Sequence, residues 1–333
     1  MRAFSFIFLL IFPFYLNSIV ILTHGAFGDT DNWYEKGGYF YDALSDSGKI
    51  LDKEIITFKW EQYLGGITHH ERLSAGKALA EFIADKVSGG EKEIILIGHS
   101  YGGHVIKLAS QILAIGLDLQ DMDRPVIIPE NNKKFLDLDE NFFKSICSEF
   151  KNSSSLKKLK KFLSKRNSAE KLDNIDKFII DQVYTLATPN DIPDYFSNMN
   201  VIGFLYNYFS KGDLVQDFVG DRELPQPKHE RAVNLEVRMK GSGWFGLWGK
   251  PNHIEMHAEI IAKWILYIPL FLSKEKIGNF DKFNFDYNGQ VKFSPKKPPV
   301  YICNAIGLKD FNFFSNYDLE WLKNKMQFIR NFC

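Results

Sequence analysis

The chain has 333 residues, of which 45% are hydrophobic and 25% are charged, so it can bury a substantial core. Its formal net charge of zero argues against a general nucleic-acid-binding role. Three cysteines (Cys147, Cys303 and Cys333) are too few for a disulfide scaffold, although they would allow one bridge.

The N-terminus combines a basic start with a short apolar run. Arg2 precedes the apolar residues 4–16, and Asn17 and Ser18 follow them. This order is typical of a secretory signal peptide over residues 1–18, and the run is short for a transmembrane helix. We therefore expect a secreted or periplasmic protein. The alternative is an uncleaved segment that packs on the domain or anchors it to a membrane.

A glycine-rich loop follows the first predicted strand, residues 19–23. Its sequence is His24-Gly25-Ala26-Phe27-Gly28. Such a loop lets backbone N–H groups face an oxyanion, and two such donors hold a tetrahedral intermediate in acyl transfer. His24 could be mistaken for a general base, but its place directly after the strand favours a role in shaping the loop.

The most informative motif is Gly98-His99-Ser100-Tyr101-Gly102, between a predicted strand at 93–98 and a predicted helix at 102–115. A serine at such a strand–turn–helix elbow sits in strained backbone with its hydroxyl clear of the sheet. Glycine is required at 98 and 102 because a Cβ there would collide with a neighbouring strand or helix. The motif predicts a nucleophilic serine, Ser100; the alternative is an ordinary glycine-rich turn.

The predicted oxyanion hole pairs two backbone donors. They are the N–H of Ala26, in the first loop, and the N–H of Tyr101, the residue after the nucleophile. The helix that begins behind Ser100 adds the positive end of its dipole.

These two motifs, together with Tyr184-Thr185-Leu186-Ala187-Thr188-Pro189, resemble the α/β-hydrolase family, in its lipase/esterase branch with a His-Gly-x-x-Gly oxyanion loop. The resemblance covers residues 19–270 with an interruption at 116–176. It implies a serine, an acid and a histidine in that chain order, and cleavage of a carboxylic ester through an acyl-enzyme without a cofactor or metal.

The acid is expected one short loop past the strand predicted at 201–208. Asp213 stands there, and Asp217 is the alternative. A solvated loop carboxylate is the more ordinary role for Asp217. In the triad, the carboxylate fixes the imidazole tautomer and stabilises the imidazolium.

The base is expected just before the last core helix, predicted at 254–268. His253 fits that place and would accept the proton of Ser100, while His257 lies one helical turn further on. The two histidines also have the i, i+4 spacing of zinc peptidases. In those enzymes a glutamate directly follows the first histidine, whereas Ile254 stands there in this chain, so we expect no metal site.

Strands alternate with helices along the core, which predicts an α/β fold with a doubly wound, mostly parallel sheet. The predicted strands are 19–23, 54–59, 93–98, 178–186, 201–208 and 232–239, and the predicted helices are 39–46, 72–87, 102–115 and 254–268. The C-terminal extension, 271–333, contains Asn288-Gly289 between alternating apolar residues, which predicts a hairpin. A final helix follows, with Leu319, Leu322, Met326 and Ile329 on one face.

The interruption at 116–176 is expected to form a cap over the active site. Within it, Ser153 to Ser155 can begin a helix whose remaining positions are mostly lysine. Its apolar stripe consists of Leu156, Leu159, Phe162 and Leu163. Two interpretations stay open: the stripe packs on the core, or it meets an anionic lipid surface.

The expected partner is a small-molecule or lipid ester, with peripheral membrane contact in the lipid case and no nucleic acid. Two alternatives to hydrolysis use the same scaffold. One is a non-catalytic protein that binds a lipid or protein partner, and the other is an acyltransferase with the same triad.

Overall fold

The structure is a computed structural model. It describes residues 18–26, 32–50, 53–60, 68–119, 140–169, 178–189, 197–210, 212–213, 231–239, 252–266, 280–285, 291–295 and 300–301. The predicted signal peptide, apart from Ser18, and the predicted final helix lie outside these residues. Within them, no helix is both long and apolar enough to cross a membrane.

The described strands form a single sheet of nine, in the order β2-β1-β3-β4-β5-β6-β7-β8-β9. Strands β1 to β7 run parallel, and β8 and β9 are antiparallel to their neighbours. The predicted doubly wound, mostly parallel sheet is therefore confirmed. The strands are β1 (Ser18–Thr23), β2 (Lys53–Phe58), β3 (Glu93–His99), β4 (Ile180–Leu186), β5 (Ile202–Phe209), β6 (Ala232–Met239), β7 (Phe280–Phe285), β8 (Val291–Pro295) and β9 (Val300–Tyr301).

Helices cover both faces of the sheet, because alternate residues of its buried strands point to opposite sides. Ile19 and Ile21 of β1 join one apolar cluster with α2 to α5, whereas Val20 and Leu22 join a second cluster with α1 and α6. The helices are α1 (Tyr39–Ile50), α2 (His69–Ser88), α3 (Tyr101–Gly116), α4 (Glu140–Asn152), α5 (Ser154–Ala169) and α6 (Glu259–Ile265).

The last core helix differs from its prediction. One turn of 3-10 helix spans Glu255–His257, and α6 begins only at Glu259. Between them Ala258 is extended, with φ −63° and ψ 149°, so the chain turns before the helix starts. The apolar spacing at 254–268 was continuous across this break, which is why periodicity predicted one uninterrupted helix.

The C-terminal extension joins the sheet. Strand β7 pairs parallel with β6, and β7 and β8 form the predicted hairpin, with Phe285 opposite Val291. The Asn288-Gly289 turn itself lies outside the described residues.

The apolar stripe of α5 faces the core. Leu156 and Leu159 are fully buried, and Phe162 and Leu163 pack against the same cluster. The interpretation in which this stripe meets lipid is wrong, because protein already covers its apolar side chains. The lysines of α5 point away, and two of them pair with acids: Lys158 with Asp85, and Lys160 with Asp118.

The start of α5 lies far from the elbow. The Ser155 hydroxyl donates to the Asp85 carboxylate over 2.8 Å, and Asp85 is in the last turn of α2. Helix α2 ends just before β3 begins, so this contact marks the amino-terminal edge of the sheet, whereas Ser100 follows the carboxyl end of β3. Helix α5 therefore flanks the core and begins at the edge opposite Ser100. Residues 120–139 and 170–177 of the predicted cap lie outside the described residues.

Burial of the α5 stripe can be tested by truncation. We expect Leu159→Ala to lower the free energy of unfolding by about 2–5 kcal/mol, since it leaves a cavity in a packed core. The exposed Lys161→Ala on the same helix is the control and should change it by less than about 0.5 kcal/mol. Urea denaturation measures both. Equal stability of the two variants would show that the α5 stripe does not pack in the core.

Candidate active site

Ser100 forms a strained elbow between β3 and α3. Its backbone has φ 53° and ψ −129°, a region that non-glycine residues rarely occupy. Such a conformation costs about 1–3 kcal/mol and persists only where its surroundings enforce it. Here the Ser100 N–H donates to the Leu186 carbonyl over 2.8 Å, and the Ser100 carbonyl accepts from the Gly103 N–H over 2.9 Å. The predicted strain is therefore present at the predicted serine.

Glycines allow the backbone to pack closely around the elbow. A Cβ on Gly98 would lie 2.7 Å from the Gly102 carbonyl carbon, and one on Gly102 would lie 2.5 Å from the His24 carbonyl oxygen. Both distances are far below a normal contact, so the predicted need for glycine at 98 and 102 is confirmed. A Cβ on Gly25 would lie 2.7 Å from the Cβ of Ser100. The loop after β1 therefore packs directly against Ser100.

His24 shapes that loop, as its position predicted. Its Nδ1 lies 2.9 Å from the Gly25 carbonyl oxygen, and its Nε2 accepts from the Trp60 backbone N–H over 3.4 Å. One neutral tautomer, protonated on Nδ1, satisfies both contacts. The ring stacks on Trp60, and the Trp60 indole donates to the His24 carbonyl over 3.1 Å.

The segment from Thr185 to Pro189 buttresses the elbow from the other side. Ala187 has φ 50°, and its N–H donates to the Tyr208 carbonyl over 2.9 Å. A Cβ on Gly103 would lie only 1.9 Å from the Thr188 hydroxyl oxygen. His104 is buried and donates through Nε2 to the Pro189 carbonyl over 2.6 Å. His104 is therefore a structural residue of the elbow helix.

The structure brings Asp213 and His253 together. Asp213 follows β5 and is fully buried, and its Oδ2 lies 2.8 Å from Nδ1 of His253. The imidazole keeps 16% of its side chain exposed, which leaves one edge of the ring accessible. Asp217, the alternative acid, lies outside the described residues.

His253 is also tied to the elbow through its backbone. Its carbonyl oxygen lies 3.0 Å from Nε2 of His99, the residue immediately before Ser100, and the two rings are 4.8 Å apart. The imidazole that binds Asp213 therefore belongs to the immediate surroundings of the serine.

His257 has a different environment. It is 2% exposed, it stacks on Trp33 with ring centroids 4.5 Å apart, and its Nδ1 lies 2.6 Å from the Tyr39 hydroxyl. Burial, reinforced by the nearby His253, lowers the pKa of His257 to about 4. A packed, neutral imidazole bound to a phenol is poorly placed to act as a base, so the structure supports the choice of His253 over His257.

The i, i+4 histidines use their Nδ1 atoms for different partners. The Nδ1 atoms of His253 and His257 face Asp213 and Tyr39 respectively. Among the described residues, no group of three or more His, Cys, Asp or Glu side chains is arranged to hold a metal ion.

Sequence reasoning missed the contribution of four residues. Trp33 and Tyr39 carry no motif, and only the fold brings them against His257. The guanidinium carbon of Arg72 in α2 lies 4.3 Å from the centroid of the Tyr101 ring. This contact joins two helices, so no local sequence pattern predicts it. His99 was visible, since it stands inside the elbow motif directly before Ser100.

Comparison with known proteins agrees with this geometry. Residues 16–154 match the family described as "Putative serine esterase (DUF676)". The matched range includes the loop after β1 and Ser100, and it ends before Asp213 and His253. No curated protein matches the chain significantly.

Structural neighbours include the thermophilic esterase Est2 from the planctomycete Thermogutta terrifontis. Its propionate-bound form is 9% identical, with 95% of this chain and 82% of that chain covered and a TM-score of 0.28. The native form is also 9% identical, with 95% and 80% covered and a TM-score of 0.26. A similarity this weak adds nothing to the assignment of the fold.

The parallel sheet, the strained serine elbow and the family match agree with the predicted resemblance to serine esterases of the α/β-hydrolase type. The similarity to the serine esterase family covers the part of the chain that holds the first loop and the elbow.

The buried His257 predicts a pH-dependent stability. Its pKa is about 4 in the folded protein and about 6.5 when unfolded, so the unfolded chain binds the proton first as the pH falls. Stability is therefore lost from about pH 6.5 down to about pH 4, and this group accounts for about 2 kcal/mol of that loss at about pH 5. Urea unfolding at pH 7 and pH 5 measures the difference.

In His257→Asn this pH-dependent loss should shrink by about 2 kcal/mol, because asparagine does not titrate. The exposed His70 supplies the control, and His70→Asn should keep the wild-type dependence. An unchanged dependence in His257→Asn would mean that the imidazole is not held neutral by burial.

Proposed function

We propose that this protein is a serine hydrolase that cleaves carboxylic esters, with Ser100 as nucleophile, His253 as general base and Asp213 as the orienting acid. One observation carries the proposal. The strained Ser100 elbow lies at the same edge of the sheet as Asp213 and His253, whose Oδ2 and Nδ1 atoms are 2.8 Å apart. Parallel strands deliver all three residues to this edge, because each follows the carboxyl end of a strand.

The tautomer of His253 suits a base. A carboxylate can only accept a hydrogen bond. Nδ1 of His253 is therefore protonated and donates a hydrogen bond to the buried Asp213 carboxylate. The lone pair of the imidazole is then on Nε2, which can take the proton from the Ser100 hydroxyl. Asp213 also stabilises the imidazolium that this transfer creates.

The reaction then proceeds in two halves. The Ser100 oxygen attacks the ester carbonyl, and the tetrahedral intermediate collapses when His253 returns the proton to the leaving alcohol oxygen. This leaves the acyl group on Ser100. Water then attacks the acyl-enzyme, with His253 again taking and returning a proton, and releases the carboxylic acid and the free serine.

The developing oxyanion needs two donors. Support for Ala26 comes from its neighbour Gly25, whose Cα packs against the Ser100 side chain so closely that a Cβ would overlap it. Support for Tyr101 comes from its position as the first residue of α3, where backbone N–H groups point out of the helix end. Each donor of this kind is worth about 10²–10³ in rate.

Ser100→Ala should abolish turnover and labelling by a fluorophosphonate probe, since it removes the hydroxyl oxygen that would carry the acyl group. Turnover should fall by about 10³-fold or more. The exposed Ser164→Ala is the matched control and should label and turn over like the wild type. Assays use p-nitrophenyl esters of rising chain length.

Retained turnover in purified Ser100→Ala would refute the hydrolase mechanism. Absence of turnover and labelling in the wild type would instead favour the non-catalytic scaffold. Transfer of the acyl group to an added alcohol in preference to water would identify an acyltransferase with the same triad.

Asp213→Asn should lower kcat by about 10⁴-fold, because asparagine keeps the size of aspartate but stabilises the wrong imidazole tautomer. The control is Asp118→Asn, an exposed acid that pairs with Lys151 of α4 and Lys160 of α5. Kinetics on the best p-nitrophenyl ester compare the two. If Asp213→Asn retains full kcat, the acid of the triad lies elsewhere, and Asp217 becomes the residue to test.

A further inference from the structure

We propose that His99 is a positioning residue that holds the catalytic base next to the nucleophile. This inference rests on the proposed function, because it assigns a role relative to Ser100 and His253. The observation is one hydrogen bond: Nε2 of His99 lies 3.0 Å from the carbonyl oxygen of His253. His99 is the last residue of β3 and directly precedes Ser100 in the chain.

The direction of this hydrogen bond is defined. A carbonyl oxygen can only accept a hydrogen bond, so Nε2 of His99 is protonated and is the donor. Burial holds the pKa of His99 well below its usual range, and the neighbouring His257 and His253 lower it further. His99 is therefore a neutral donor, and it adds no positive charge beside the imidazole that must itself become charged.

The ring of His99 is held by aromatic packing. Its exposed fraction is 6%, and the edges of Trp33 and His257 meet it at centroid distances of 5.4 Å and 4.6 Å. Trp33 in turn stacks on His257, whose Nδ1 binds the Tyr39 hydroxyl. These contacts leave the imidazole little room to rotate, so its Nε2 proton is fixed in direction.

The geometric consequence is a direct link between two catalytic elements. His253 lies in a loop segment ahead of the 3-10 turn at Glu255–His257, and local hydrogen bonds between Asn252 and Glu255 hold this segment. The hydrogen bond from His99 ties this segment to the residue beside the nucleophile. A base that moves by about 1 Å can lose about 10²-fold in rate, so such a tie acts on turnover more than on substrate binding.

The test compares three replacements of His99. Glutamine places its amide nitrogen close to the position of Nε2 and keeps the donor. Asparagine keeps the polarity but is one carbon shorter and cannot reach the carbonyl, and leucine removes the donor altogether. We expect kcat to fall about 10- to 100-fold in His99→Leu and His99→Asn, with KM within about 2-fold of the wild type, and His99→Gln to recover most of kcat.

Folding is checked by the urea midpoint of each variant. If His99→Leu fails to fold, the comparison of His99→Gln with His99→Asn decides, because both are polar and only one can donate to the His253 carbonyl. Equal kcat in these two, at any level, would overturn the positioning role. A rise in KM with kcat unchanged would also overturn the positioning role.

The exposed His70→Leu is the matched control and should keep wild-type kinetics. Failure of this inference differs from failure of the proposed function. Full turnover in His99→Leu, in an enzyme whose activity is still abolished by Ser100→Ala, would overturn only the role of His99. Turnover that does not depend on Ser100 would overturn the function itself.

Discussion

The site depends on close packing of backbone between the loop after β1 and the elbow after β3. Gly25, Gly102 and Ser100 approach so tightly that any additional Cβ would overlap a neighbouring atom. This packing holds Ser100 at φ 53°, and it places the backbone of the first loop beside the serine side chain. The positions of Ser100 and of the proposed oxyanion donors thus both follow from the same contact.

A second layer is built from neutral rings. His24, His99, His104 and His257 are all buried, and packing or hydrogen bonding to neutral groups holds each of them. His253 differs from them, because its Nδ1 lies 2.8 Å from the Asp213 carboxylate. Burial lowers the pKa of His99, His104 and His257, so these three imidazoles stay neutral beside the elbow.

The insertion after α3 strengthens one face of the fold. Helices α4 and α5 bury their apolar side chains against α2 and α3, the helices that begin beside the site. Strand β3 and helix α3 carry the elbow, so this added core supports the helix that begins at the strained Ser100 turn. The C-terminal strands extend the opposite end of the sheet and take no part in the contacts around Ser100 that the structure describes.

The sequence by itself determined the strand order along the chain, the strained Ser100 turn and the need for Gly98 and Gly102, because these follow from local backbone geometry. It also limited the candidates for the triad acid to Asp213 and Asp217, and the candidates for the base to His253 and His257. Only the tertiary structure decided that His257 is buried on Trp33 and that Leu159 faces protein, since neither neighbour is near in the chain. An apolar stripe has the same spacing whether a core or a lipid covers it, and an imidazole acquires its pKa from groups that folding brings to it.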